Sequence, residues 1–214
     1  MRYKIGYAWS VLFRLFHWAF ALSIVTLVVT GFYIYTPWTN TVLEGSRSFP
    51  MATMRYLHFL AGFVFTAAVA VRFYLWIFGN RQEKLWDSAP ITPRNIKNLF
   101  STLIYYTYLT DKHDERLGHN ALAGTAYIIT ILLAICQLIT GFYLLYPESM
   151  FWQKWGVFLF GTQQKARFIH HLTMWYFIIF AFFHLYIVIW NDIKAPEGLI
   201  SSIFTGRKFH KSSS

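Results

Sequence analysis

Four apolar stretches, residues 11–35, 54–78, 121–145 and 166–190, constrain this chain more than any other feature. As helices rising 1.5 Å per residue, each is long enough to cross a hydrocarbon core of roughly 30 Å. Of the 214 residues, 56% are apolar and only 13% charged, where a soluble domain carries about 25% charged residues. The class expected is therefore an all-α membrane protein: a four-transmembrane-helix bundle forming a single membrane domain over residues 1–214. The spans leave no room for a water-soluble catalytic domain, so chemistry on a large substrate is expected on a partner.

The single cysteine, Cys136 in the third span, excludes an intramolecular disulfide, a Cys-ligated iron–sulfur cluster and a C-x-x-C-H haem attachment; it reads as a small buried residue. The basic N-terminus leads into a first span that lacks a small-residue cleavage site, so that span is expected to remain in the mature protein. The formal charge of +10 does not indicate nucleic acid, because the basic residues are dispersed through the connecting segments instead of lining one soluble face. Topology accounts for them. With both termini on one side, that side receives Arg2, Lys4, Arg14, Arg72, Arg81, Lys84, Arg94, Lys97, Lys112, Arg116, Lys194, Arg207, Lys208 and Lys211, or 14 of the 19. Arg47, Arg55, Lys154, Lys165 and Arg167 fall on the other. By the positive-inside rule both termini and the long middle segment, 79–118, face the cytoplasm.

Within that middle segment the apolar-aromatic run 99–109 is too short to span. It reads as an interfacial helix with Tyr105, Tyr106 and Tyr108 at headgroup level. The outer segment 147–165, with Phe151, Trp152, Trp155 and Phe158, fits either a similar helix or a docking patch for a partner.

The chain repeats internally. Thr30-Gly31-Phe32-Tyr33 at the end of the first span returns as Thr140-Gly141-Phe142-Tyr143 at the end of the third, and Arg55-x-x-His58-x-Leu60 returns as Arg167-x-x-His170-x-Leu172. Two helical hairpins of the same orientation follow from this. The copies diverge where chemistry is expected: His184 corresponds to Arg72, and His17 to Tyr127.

Five histidines, His17, His58, His170, His171 and His184, lie within the spans, and intramembrane ionisable residues are rare and usually functional. His170 and His184 are 14 residues apart, which places them within about 40° on one helix face and about 21 Å apart along the axis. His171 points about 140° from His184. His58 and His170 sit equally deep from the outer ends of their spans, and His17 and His184 equally deep from the inner ends. Paired imidazoles without a nearby carboxylate suit bis-histidine ligation of haem iron better than zinc or a di-iron site. Gly31 and Gly62 would let a flat macrocycle approach, although ordinary small-residue helix packing explains them equally well. Arg55 and Arg167, each three residues before an outer histidine, read as counter-ions for haem propionates, and Arg14, three before His17, as the same for the inner site; snorkelling to lipid phosphate is the alternative.

These residues resemble a known family. The segments Arg14-Leu15-Phe16-His17-Trp18, Val29-Thr30-Gly31, Arg55-Tyr56-Leu57-His58-Phe59-Leu60-Ala61-Gly62, Gly118-His119-Asn120-Ala121-Leu122-Ala123, His170-His171-Leu172-Thr173-Met174-Trp175 and His184-Leu185-Tyr186 are similar to those of the cytochrome b subunits of membrane-bound nickel-iron hydrogenases, in the wider group that includes formate dehydrogenase cytochrome b subunits. The resemblance covers essentially the whole chain. It implies two b haems, a partner made of an iron–sulfur small subunit and a nickel-iron large subunit docked on the outer face, a bacterial inner membrane, and the quinone pool as electron acceptor. The chain would then be the electron-transfer subunit of an oxidoreductase complex. One departure stands out: family members commonly have His-Arg-Leu where this chain has His170-His171-Leu172.

Within that reading Arg47, Lys154, Trp155 and Lys165 are expected to meet the iron–sulfur partner. His119, at the start of the third span, and Tyr186 are candidates for quinone and proton contact, and Asp111, His113, Asp114 and Glu115 form an acidic patch through which protons could arrive. Two other functions compete: the cytochrome subunit of a formate dehydrogenase or related periplasmic oxidoreductase, and a proton channel or transporter with a histidine relay.

Overall fold

The computed structural model describes residues 3–39, 49–84, 86, 89–107, 109–110, 119–194 and 198–211. In chain order the elements are β1 (Tyr3–Tyr7), α1 (Val11–Tyr35), α2 (Pro50–Phe78), α3 (Pro93–Tyr106), α4 (Ala121–Leu145), α5 (Met150–Phe160), α6 (Gln163–Lys194), α7 (Leu199–Thr205) and β2 (Arg207–Lys211). Helices α1, α2, α4 and α6 are long and apolar enough to cross a membrane. Helix α1 and α4 match the expected spans. Helix α2 starts earlier, because Pro50 is well placed in a first turn that needs no N–H partner. Helix α6 runs on at both ends, because Gln163, Gln164, Lys165, Asn191, Asp192 and Lys194 continue the backbone ladder into polar surroundings.

The outward faces of these helices are apolar. On α1, Leu15, Leu22, Val25 and Val29 are all exposed and recur at helical spacing, as a surface facing lipid requires. The polar residues turned inward are mostly Thr and Ser that bond their own helix. Thr26, Thr30, Thr66, Thr125, Thr130, Thr140 and Thr173 each donate to the carbonyl four residues earlier. A hydroxyl so used brings no unsatisfied hydrogen into a dry interior.

Two short helices position the ends of the long ones. The Thr92 side chain accepts from the Asn95 N–H at 3.2 Å and Pro93 occupies the first turn, which starts α3. Its buried residues Asn95, Asn98, Thr102 and Tyr105 recur at three- and four-residue spacing. Asn98 Oδ1 accepts from the Ala121 N–H at 2.8 Å, satisfying a free donor at the start of α4. Tyr105 is buried against Trp190, and the Tyr106 hydroxyl accepts from Asn191 Nδ2 at 2.6 Å; Tyr108 lies outside the described residues. The segment 147–165 holds the helix α5, closed by Gly161 at φ 74°. A Cβ on Gly156 would overlap the Tyr143 ring, which is why glycine stands at this contact.

The strands were not anticipated. Strand β1 pairs with β2 antiparallel, Tyr3 opposite Lys211 and Tyr7 opposite Arg207, so the two ends of the chain are joined. The Ala8 and Trp9 N–H groups both donate to the Gly206 carbonyl, at 2.8 and 3.1 Å, and Trp9 Nε1 donates to Ser202 Oγ at 3.2 Å. Gly206 has φ 79°, and a Cβ there would stand 2.6 Å from the Trp9 carbonyl oxygen.

Contacts divide the chain into two compact units. The first comprises Met1–His17, Val71–Leu133 and Ala181–Ser214, and the second Trp18–Ala70 and Ala134–Phe180, so each long helix supplies residues to both. In the second unit Phe20 stacks on Phe65 and Phe65 meets Phe177 edge-on, joining α1, α2 and α6, while Phe63 packs on Phe142 of α4.

Candidate functional site

In the second unit, α2 presents His58 and α6 presents His170 with ring centres 6.4 Å apart and planes inclined at 56°. Each ring is held from behind by the other helix of its own hairpin. Thr30 Oγ1 of α1 lies 2.8 Å from His58 Nδ1, and Thr140 Oγ1 of α4 lies 2.9 Å from His170 Nδ1. The next residue in each copy is a glycine against the ring: a Cβ on Gly31 would stand 3.5 Å from His58 Cε1, at ordinary contact, and one on Gly141 3.3 Å from His170 Cε1, closer than ordinary contact. Thr-Gly is thus the seat of the histidine, repeated in both halves of the chain. The repeat itself was visible in the sequence, but the roles of Thr30, Thr140 and Gly141 were not.

A Cβ on Gly62 meets no atom within 4 Å, which leaves open space beside His58. Arg55 is exposed, with its guanidinium 6.0 Å from the Phe59 ring, and Arg167 Nη1 donates to Gln164 Oε1 at 3.3 Å. His171 stands apart from the pair. It accepts from Trp175 Nε1 at 3.3 Å and packs on Phe32 and Tyr35.

In the first unit, α1 and α6 present His17 and His184 with ring centres 6.3 Å apart and planes at 47°. Tyr127 of α4, the repeat counterpart of His17, meets His184 edge-on at 6.1 Å. On its other side Tyr127 meets His119 at 4.7 Å, and His119 stacks on Trp9 at 4.6 Å with Phe13 beside it. Arg14 Nη1 donates to the Phe204 carbonyl, whereas its Nε is buried with no hydrogen-bond partner among the described residues. Arg72, the counterpart of His184, is buried above Phe13, Phe16 and Trp76 and donates from Nη1 to the Glu83 carbonyl at 3.2 Å. The buried Glu83 carboxylate accepts from the N–H groups of Ser10 and Asn80, at 2.6 and 3.1 Å, and from Asn80 Nδ2 at 3.1 Å. In the sequence Arg72 stands out only as a cation and as the counterpart of His184, and Glu83 carries no signal at all.

Burial, and then the cations of Arg72 and Lys208 with His184 and His17 nearby, push His119 well below the ordinary imidazole value. It is neutral at neutral pH and can pass a proton on but not store one. Tyr186 is exposed and follows His184 by two residues, about 200° around the helix, so it is not brought to His119. Arg47, Asp111, His113, Asp114, Glu115 and Gly118 lie outside the described residues.

The donor sets fit haem iron. An imidazole nitrogen binds a metal at about 2 Å and the ring centre lies about 1.1 Å behind it, so two imidazoles facing each other across one metal have centres about 6.3 Å apart. Both pairs have that spacing. Among the described residues no group of three or more His, Cys, Asp and Glu converges, as a zinc or di-iron centre would need. The unsatisfied Arg14 Nε, one helical turn before His17, suits a propionate oxygen.

Comparison with known proteins gives a family for the chain. The model of the prokaryotic cytochrome b561 family matches residues 8–206. The chain is similar to the probable Ni/Fe-hydrogenase B-type cytochrome subunit of Cupriavidus necator, at 32% identity over 97% of this chain and 88% of that protein. It is similar to the protein of the same description from Rhodobacter capsulatus, at 32% over 96% and 82%. The probable Ni/Fe-hydrogenase 1 B-type cytochrome subunit of Escherichia coli K12 is 27% identical over 96% of this chain and 91% of its own length.

Proposed function

The chain belongs to the prokaryotic cytochrome b561 family, and from that premise we propose that it is a di-haem membrane anchor carrying electrons from a periplasmic nickel-iron hydrogenase to quinone. The observation that carries the reading is the pair of imidazole couples, at 6.4 and 6.3 Å, each spaced for one six-coordinate iron. His58 and His170 hold the outer haem, and His17 and His184 the inner. Bound haem supplies a one-electron carrier at each level.

The chain's own residues do the rest. Thr30 and Thr140 fix the rings of the outer pair, and Gly31, Gly62 and Gly141 keep the space beside them free of side chains. Arg55, Arg167 and Arg14 face haem propionates. The Phe20–Phe65–Phe177 stack keeps water from the second unit's interior. On the inner side Tyr127 joins His119 to His184, and His119 moves a proton toward quinone, while Tyr186 offers its hydroxyl to quinone arriving at the exposed surface of α6.

The small iron–sulfur subunit docks on the outer side, where α5 exposes Phe151, Trp155 and Phe158 and holds Lys154 Nζ 5.7 Å from the Trp155 ring, and where α6 carries Lys165 in its first turn. The large nickel-iron subunit is carried on the small one. The positive-inside count supports cytoplasmic termini in a bacterial inner membrane, and the β1–β2 ribbon agrees with both ends lying on one side. The descriptions of the relatives favour hydrogenase over formate dehydrogenase as the partner. In the complex purified with its partner, hydrogen should reduce two b-type haems, and added quinone should reoxidise them. A complex that lacks hydrogenase, or b bands that stay oxidised under hydrogen, would overturn the proposal.

A further inference from the structure

The threonines behind the outer histidines do more than fill space, because their hydrogen bonds have a direction. The Thr30 hydroxyl has one hydrogen, and it is given to the Thr26 carbonyl at 2.6 Å. Its oxygen, 2.8 Å from His58 Nδ1, is left as an acceptor, so Nδ1 carries the proton. The Leu27 carbonyl, 3.3 Å from the same hydroxyl, is a second acceptor for that hydrogen. The second copy repeats the arrangement: the Thr140 hydroxyl donates to the Cys136 carbonyl at 2.8 Å, with the Gln137 carbonyl 3.1 Å away as the second acceptor, and its oxygen lies 2.9 Å from His170 Nδ1. A neutral imidazole protonated at Nδ1 has its lone pair at Nε2, the atom each ring presents away from its threonine.

We propose that Thr30 and Thr140 are positioning residues that lock His58 and His170 in the Nδ1–H tautomer and, by accepting that hydrogen, hold the reduction potential of the outer haem down. The inference rests on the assignment of His58 and His170 as ligands of one iron. Accepting the Nδ1 hydrogen pushes electron density onto Nε2, and a more basic ligand favours ferric over ferrous iron. Two such bonds, one on each axial ligand of the same iron, act in the same direction. The repeat explains why they come as a pair: Thr-Gly precedes the end of α1 and of α4 at the same place, and each faces the histidine of the following long helix.

The test is a potentiometric titration of the two b-type haems in the purified complex carrying Thr30→Val or Thr140→Val, with Thr30→Ser and Thr140→Ser alongside. Valine keeps the shape and removes the acceptor, whereas serine keeps the hydroxyl. Outer-shell partners of metal-bound histidines are worth about tenfold at the low end, and each valine variant leaves the threonine on the other histidine in place. Each valine variant should therefore raise the ferrous preference by about threefold to tenfold, or ~30 to ~59 mV for a one-electron couple. Both should move the same haem, and both serine variants should keep the wild-type midpoint. Should a valine variant lose that haem while its serine counterpart keeps it at the wild-type potential, the hydroxyl is again the deciding group. Unchanged or lowered midpoints, shifts on two different haems, or serine variants shifted as far as valine would overturn the inference while leaving the ligand assignment intact. The ligand assignment fails separately, if His58→Ala and His170→Ala keep both haems.

Discussion

Gly141 carries a sharp expectation, because the seat of His170 is tighter than that of His58. A Cβ on Gly141 would stand 3.3 Å from His170 Cε1, against 3.5 Å for Gly31 and His58 Cε1. Carbon atoms pack best at about 3.5–4.0 Å, so Gly31→Ala fits at contact, while Gly141→Ala requires the ring or the helix to give a few tenths of an ångström. Overpacking costs typically 1–3 kcal/mol, and so small a displacement belongs at the lower end, ~1 kcal/mol, or about fivefold in an equilibrium. That movement also stretches the 2.9 Å bond between Thr140 and His170. Gly141→Val adds two further carbons at the ring and should displace His170 altogether. The assay is haem content of the purified complex, followed by haem transfer to an excess of an apo-globin acceptor. Gly31→Ala should retain both haems at the wild-type rate, Gly141→Ala should lose the outer haem about fivefold more readily, and Gly141→Val should carry one haem only. A Gly141→Val complex with two firmly held haems, or a Gly31→Ala complex weaker than Gly141→Ala, would refute the placement of the His170 ring.

Two further outcomes follow from the first unit. An unfolded histidine takes up a proton near pH 6.5, whereas folded His119 stays neutral well below that, so the unfolded state binds more protons and stability is lost as pH falls below about 6.5, by up to ~1.4 kcal/mol per pH unit. His119→Phe keeps the stack on Trp9 and should make thermal unfolding less acid-sensitive between pH 7 and 5; an unchanged acid slope would contradict the caged position of His119. Glu83→Ala strands the N–H groups of Ser10 and Asn80 and removes the counter-charge nearest Arg72. It should destabilise the complex by ~3 kcal/mol, read as a lowered denaturation midpoint, and a midpoint equal to wild type would mean that this network contributes nothing.

The spans were legible because lipid permits a charge only at its margins, so hydropathy and length mark α1, α2, α4 and α6 directly. Histidine depth was legible for the same reason: counting from the span ends brings His58 to His170 and His17 to His184, and helix phase sets His171 aside. The seat of the outer pair was half legible. Thr-Gly stands out as a repeat, yet a threonine-to-imidazole bond joins residues 28 or 30 positions apart, and nothing local in Thr30 or Thr140 distinguishes it from Thr26 or Thr66, whose hydroxyls bond carbonyls of their own helix. The β1–β2 ribbon pairs residues about 200 positions apart across short, weakly patterned termini, and the burial of Arg72 and Glu83 depends on aromatic and backbone partners from other elements. Such long-range pairings leave no periodic trace.

The most direct measurement is the number of b-type haems per chain in wild type and in five single variants, read by optical spectrum and low-temperature electron paramagnetic resonance. Wild type should hold two. His58→Ala and His170→Ala should each lose the same one, His17→Ala and His184→Ala should each lose the other, and His171→Ala should keep both. A wild-type count other than two, or two members of one pair that remove different haems, would contradict the assignment.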